Sequence, residues 1–395
     1  MVPVSLYFNF KDILRSPRIA LSGKKIWIFI TGNLIGYLFY WIISYLSLVL
    51  SGYNLSDAFS NFGLYPHIFN IEASSNSIFI YSLGLIVWIS LLFISSTAVS
   101  RVILEELNGN HLFSITDAWI FSLKHWKTSI FTPLTIMFII ITLLILGIFF
   151  TMLSSIPYAG SIIYFSLFPI IFFGSVFITY TAIVLVNSLI YSPAIIASYE
   201  EDIMGTIFQS YSISWAQPWR VITYNIIILI LIIIGVEVFS WFCISSCSLI
   251  YFISKNSFIS GENLNSIINL SFELVLPKNI IDNIFYIRSI INIDNNYLSI
   301  ILNIFEKQKL TFGQTSSLDL ISSMLLSSFL FIILLSIFSY ALSIFCVGQT
   351  ISFLIFKKLT DDDDILKRSR DNSIEDDKNE FFNKNFKLHQ LKNKS

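Results

Sequence analysis

The residues best suited to chemistry are carboxylates, and they fall in three places. Glu237 stands alone in Ile234-Gly235-Val236-Glu237-Val238, deep within a long apolar run. A carboxylate at that depth costs about 2.5–3.5 kcal/mol on insertion scales, so it needs protonation, a polar partner or a wet cavity. Desolvation would raise its pKa into a range useful for proton or cation exchange. A neutral, hydrogen-bonded carboxyl near an interface accounts for the same residue without any exchange. The other two places are Glu105-Glu106 and Glu200-Glu201-Asp202, each at the end of an apolar run. Opposed acidic pairs could hold a metal ion. Capping of the helices that follow, where negative charge suits the N-terminal dipole, asks less of them.

Other chemistry is poorly served. His67, His111, His125 and His389 are scattered, without the paired spacing of a zinc site. The chain has no glycine-rich phosphate loop and no nucleophile elbow. No enzyme, cofactor or metal is therefore expected. A net charge of −1 offers nucleic acid no general attraction. Cys243 and Cys247 lie on one helical face, where a disulfide is geometrically poor, so free thiols are expected. Gly32-Asn33-Leu34-Ile35-Gly36 is a small-xxx-small stripe that lets helices approach, and Asn33 can bond across the contact. Ser336, Ser339, Ser343 and Val347 share a face above Gly348-Gln349 and read as packing. Asn187 and Asn225 sit near helix ends, within reach of an interface.

The elements that must carry these residues are six long apolar stretches, beginning near Ile26, Ser77, Thr128, Ser161, Val221 and Asp319. Most exceed the roughly 20 residues that cross a ~30 Å hydrocarbon layer. Composition agrees: 55% of residues are hydrophobic and 12% charged, with a mean hydropathy of +0.75. An ordinary soluble domain carries about 25% charged residues. The fold class expected is all-α, a polytopic membrane protein with six transmembrane helices, cytoplasmic interfacial elbow helices and a small outer helical insertion. The first apolar run is too long for a signal h-region and should remain as an anchor.

Lys and Arg set the orientation. Lys11, Arg15, Arg18, Lys24 and Lys25 precede the first run, and residues 52–76 have no basic residue. Arg101, Lys124 and Lys127 follow the second run, the turn at 154–160 has none, Arg220 precedes the fifth, and Lys357-Lys358 close the sixth. Both termini are expected in the cytoplasm. Heavy use of Ile, Phe, Asn, Ser and Lys points to an AT-rich genome, hence a bacterium and its inner membrane.

A weak repeat runs through the chain. Glu105-Glu106, Gly109 and Trp126-Lys127 correspond in order to Glu200-Glu201, Gly205 and Trp219-Arg220. Between them, Ile115, Ala118, Ile120 and Ser122, and Ile207, Phe208, Tyr211 and Ile213, suit amphipathic helices lying in the inner interface. Residues 1–25 read as an amphipathic segment and degenerate third copy, and 26–356 as the six-span domain. The fourth run, residues 161–199, is long enough to protrude or to kink at Pro169. Within the six-span domain, 255–318 is an outer insertion with two isoleucine stripes, from Ile280 to Ile291 and from Tyr297 to Ile304. Residues 357–395, opening on Asp361 to Asp364, read as a disordered charged tail, dispensable from 362 onward.

Tyr191-Ser192-Pro193-Ala194-Ile195-Ile196-Ala197, then Glu200-Glu201, then Ser212 to Trp219, resembles the bacterial membrane domains found beside glycerophosphodiester phosphodiesterases. The resemblance covers residues 80–250 and implies a membrane domain of unknown role. The phosphodiesterase activity of those proteins resides in a separate soluble barrel, so no catalytic residue carries over. The role expected is a non-enzymatic scaffold, assembly partner or lipid-environment organiser, whose partners are membrane lipids and other membrane proteins. The alternative is a transporter or permease component with a polar site at the repeat interface.

Overall fold

The computed structural model describes residues 6–68, 73–254, positions 264, 267, 268, 270–272, 274 and 275, and residues 317–368. Helices fill it, and no strand occurs among the described residues. They are α1 (Phe10–Ile13), α2 (Ser16–Ala20), α3 (Gly23–Leu50), α4 (Leu55–Phe62), α5 (Ser75–Leu107), α6 (Ile115–Lys124), α7 (Trp126–Leu153), α8 (Gly160–Tyr199), α9 (Ile203–Ala216), α10 (Pro218–Ser254) and α11 (Ser317–Thr360). Six of them, α3, α5, α7, α8, α10 and α11, are long and apolar enough to cross a membrane. The protein is an all-α, polytopic membrane protein. α8 runs unbroken through Pro169 and Pro193. The isoleucine stripes expected between 280 and 304 lie outside the described residues.

Two compact units divide the chain. One comprises Met1–Ile28, Phe93–Leu231 and Ser343–Ser395; the other comprises Phe29–Leu92 and Ile232–Leu342.

In the second unit, a tyrosine cluster on α3 carries the connection to α5. Tyr37 donates to Leu64 O, Tyr40 to Pro66 O at 2.5 Å and Tyr45 to Gly63 O at 2.6 Å. Loop carbonyls away from water need such donors, because each unsatisfied group costs several kcal/mol in an apolar medium. Tyr65 donates to Val275 O at 2.7 Å, and burial pushes its phenol up to about 12, so it stays a donor at any physiological pH. Gly36 faces Trp88 of α5 so closely that a Cβ there would stand 2.5 Å from the indole. Trp88 Nε1 donates to Asn33 Oδ1 at 3.4 Å. The Gly32–Gly36 stripe therefore packs against a helix of the same chain.

In the first unit, the elbow helices α6 and α9 are both present. α9 buries Thr206, Ile207, Ser210, Ile213 and Ser214 and exposes Met204, Phe208 and Trp215. Ile207 joins Ile136 of α7 and Val184 of α8 in one apolar cluster. α6 buries Ala118 and Ser122 and exposes Ile120 and Leu123. α6 turns only small or hydroxylic residues inward, whereas α9 buries two isoleucines among its hydroxylic residues. Both helices also expose bulky apolar side chains, which suits an apolar surrounding.

The charged tail begins later than the composition implies. α11 continues to Thr360, and the four aspartates after it each have a different partner. Asp361 pairs with Lys357 at 2.8 Å and Asp362 with Lys358 at 2.8 Å. Asp363 accepts from Tyr199 at 2.9 Å and from Arg368 at 3.1 Å, and Asp364 accepts from Lys367 N at 3.2 Å. Ile365 and Leu366 are buried behind them. The reading of 357–395 as a disordered tail is thus wrong for 357–368, because two aliphatic side chains suffice to seat a short strap. Residues 369–395 lie outside the described residues. Deleting 362–395 would therefore remove the packed Ile365 and Leu366 along with the charged residues. Replacing Ile365 and Leu366 together by Ser should free the strap, each side chain losing about 1.5–3 kcal/mol of burial. The measurement is amide exchange over 361–368, expected to rise well above wild type; unchanged protection would contradict the docking.

Candidate functional site

The ionisable groups of the first unit gather around two cations. Arg101 sits near the end of α5, one turn before Glu105. Its Nε approaches Glu105 Oε1 at 3.2 Å as an ion pair without hydrogen-bond geometry. Its NH1 lies 3.0 Å from Glu200 Oε1 and donates to Ala197 O at 3.0 Å. The guanidinium also lies over the Phe121 ring of α6, 4.7 Å from its centroid. One planar fork thus engages a carboxylate on its own helix, the residue that closes α8, a carbonyl in the last turn of α8, and an elbow aromatic. A cation at a helix C-terminus is favourable, and arginine can meet several acceptors at once. Glu200 is held there with φ at 55°, a left-handed conformation uncommon outside glycine.

Lys25 is the second cation, fully buried at the start of α3. Its ammonium lies 2.5 Å from Glu106 Oε2 and donates to Ile19 O at 2.9 Å. Its neighbour Lys24 donates to His111 O at 2.8 Å and Phe113 O at 3.1 Å. The N-terminal helices, the end of α5 and the approach to α6 are thereby tied by two adjacent lysines.

The capping role expected of the acidic residues is corrected for all but one. Ser114 caps α6, accepting from Asp117 N at 3.1 Å. Asp202 caps α9, accepting from Gly205 N at 2.9 Å. Glu105, Glu106 and Glu200 are ion-paired, and Glu201 accepts from Gln209 at 3.3 Å. The two acidic motifs do converge, through Glu105 and Glu200, but on the guanidinium of Arg101. Among the described residues no group of three or more His, Cys, Asp or Glu is placed to hold a metal. The matched glycines also differ in role. Gly109 turns the chain at φ 94°, whereas Gly205 is helical and makes room for the Glu201 carboxylate, which a Cβ would meet at 2.6 Å.

A neutral polar seam lies between helices of the same unit. Gln349 of α11 donates to Asn225 Oδ1 at 2.6 Å, and Asn225 donates to Tyr191 OH at 3.1 Å. Thr350 donates to Ser100 Oγ at 3.2 Å, Ser100 lies 3.2 Å from Cys346 Sγ, and Asn187 donates to Ser214 at 2.7 Å. Asn187 and Asn225 thus bond across helices. Gly348 permits the close approach of α11 to Ile228 of α10. Gln349 Oε1 and Ser352 Oγ are buried without a hydrogen-bond partner among the described residues. Glu237 is half-buried on α10 in the second unit. Ser343 donates to Ala20 O at 3.0 Å and Val347 is buried. Cys243 and Cys247 are free.

Sequence reasoning used Arg101 only as a topological marker. The available signal was its i,i+4 spacing to Glu105, which on a helix brings the two side chains together. Compared with protein-family models, curated proteins and solved structures, the chain gives no match.

Replacing Arg101 by Met should cost about 2 kcal/mol, less than a fully buried pair because Glu200 is partly exposed. Adding Glu105→Gln should restore part of that loss by removing one of the two carboxylates left facing each other. Thermal unfolding in detergent reads both variants. Additive losses would show that Arg101 and Glu105 are not coupled.

Proposed function

We propose that this is a non-enzymatic, multi-pass protein of a bacterial inner membrane, acting as a scaffold, assembly partner or organiser of its lipid environment. The observation that carries the reading is the mutual satisfaction of charge: Lys25 with Glu106, and Arg101 with Glu105 and Glu200. Such pairs fix helix ends against one another and present no displaceable charge to a substrate. The elbows supply a second support, since their outward faces are apolar and aromatic. On this reading the chain is built from an inner elbow and two-span hairpin used repeatedly, with both termini and both elbows cytoplasmic. The likeness of residues 80–250 to the membrane domains beside glycerophosphodiester phosphodiesterases fits the same role.

Orientation has a direct test. In a background without the native cysteines, Ser56→Cys on α4 should react with an impermeant maleimide in intact cells. Thr116→Cys on α6 should react only after permeabilisation. Both side chains are exposed, so accessibility within the protein does not confound the result. The reverse pattern would invert the topology.

The transporter reading is favoured by one observation, the unfilled acceptor at Gln349 in the polar seam. Coupled transport also requires a group that changes protonation or ion occupancy between states, and Glu237 is the intramembrane carboxylate available for it. Glu237→Gln preserves shape while removing charge. On the scaffold reading it shifts stability by no more than about 1 kcal/mol, and copurifying membrane proteins are recovered as from wild type. Gradient-driven uptake into proteoliposomes that vanishes in Glu237→Gln would instead establish transport.

A further inference from the structure

The basic residues beside Trp27, Trp126 and Trp219 divide into two groups, and the division points to a lipid. Lys25 and Arg101 are drawn inward onto Glu106, Glu105 and Glu200, and Lys24 is bound to two carbonyls. Lys124, Lys127 and Arg220 are exposed and have no carboxylate partner among the described residues. They stand at the two elbows, beside the tryptophans that open long helices. Trp126 lies between Lys124 and Lys127 at the start of α7. Trp219 adjoins Arg220 at the start of α10 and is 78% exposed. Nearby acid is already engaged: Asp117, the one carboxylate of α6, accepts from Ser114 at 2.5 Å, and Asp202 caps α9. Among the described residues the Arg220 guanidinium donates to the neutral Gln217, at 3.3 Å.

An exposed indole suits the boundary between hydrocarbon and headgroups, where its ring is apolar and its N–H wet. A cation held beside it at the helix start suits the level of the phosphates, and the nearby carboxylates Asp117 and Asp202 already have other partners. We propose that the two elbows are binding stations for anionic phospholipid, each pairing a lipid phosphodiester with Lys124 and Lys127, or with Arg220, beneath a tryptophan. The start of α3 makes the internal contrast. Trp27 is exposed there too, but the lysines before it are consumed within the protein, so that position carries no such station. The proposal deepens the lipid-organising part of the proposed role and rests on that reading.

The experiment uses the purified full chain in mild detergent with equal amounts of phosphatidylglycerol and phosphatidylethanolamine, and the retained lipids are counted by native mass spectrometry. Phosphatidylglycerol should be favoured by about fivefold or more at low salt, since each basic residue near an anionic surface contributes roughly that factor. At 1 M salt, where charge is screened within about 3 Å, the preference should collapse. The triple variant Lys124→Gln, Lys127→Gln, Arg220→Gln should retain similar total lipid with no headgroup preference. Equal retention of the two lipids by wild type at low salt would overturn the proposal, as would a triple variant that keeps the wild-type preference. If that variant does not fold, the salt titration of wild type decides, and a salt-independent ratio overturns the idea. No partner protein or flux enters the measurement, so its failure is separable from failure of the scaffold reading.

Discussion

Arg101 is the contact on which the rest of the first unit depends. A guanidinium near the end of α5 accounts for the final carbonyls of α8, the left-handed residue that stops α8, the acidic residue one turn along α5, and the orientation of an elbow aromatic. Without a cation there, Glu105 and Glu200 would be like charges in a partly desolvated corner. Lys25 does the equivalent work for the N-terminal helices, from full burial. Buried ion pairs are poor sources of net stability, because desolvation offsets most of the Coulomb gain. Their value here is positional. Each cation has several acceptors on different elements, so only one arrangement of the helix ends satisfies it.

The same constraint governs the neutral groups. Apolar surroundings contribute little to helix association when the solvent is itself hydrocarbon, leaving packing and interhelical hydrogen bonds to decide neighbours. In the first unit the decision falls to Tyr191, Asn225, Gln349, Ser100 and Thr350, with Gly348 admitting close approach. In the second unit, the tyrosines of α3 hold the carbonyls at 63–66, and Gly36 admits Trp88. Each unit thus combines a small-residue contact with a polar tie.

The six apolar helices were legible because bilayer thickness sets their length and leaves little freedom in composition. The elbows were legible from acidic, aromatic and basic residues recurring in order. What those residues do was not. Glu105 and Glu200 read as caps because capping is local, whereas Glu200 pairs with Arg101, which belongs to a different helix far off in sequence. The cap of α6 proved to be Ser114, which carries no conspicuous charge. Helix α4 escaped notice because Leu55–Phe62 is short and sits in a connection judged only by its lack of basic residues. The aspartate run misled in the opposite direction. Composition implied disorder, but disorder is decided by whether a segment can bury anything, and Ile365 with Leu366 is enough for a strap that short.

That strap bears on how scaffold and transporter should be weighed. A transporter must let one set of helix ends move against another during each cycle. Here Asp363 links the end of α11 to Tyr199, the last residue of α8, and Gln217 just before α10 donates to Thr360 at the end of α11. Arg101 clamps the same end of α8 to α5. The ends of four long helices are therefore joined by side chains whose bonds would all have to break for that face to open. Individually each is modest, on the order of 1 kcal/mol, but they act on the same few residues and would have to be lost together. Under the scaffold proposal that face is a static platform, and under the transporter alternative a mobile element would have to lie elsewhere, as in the polar seam around Gln349.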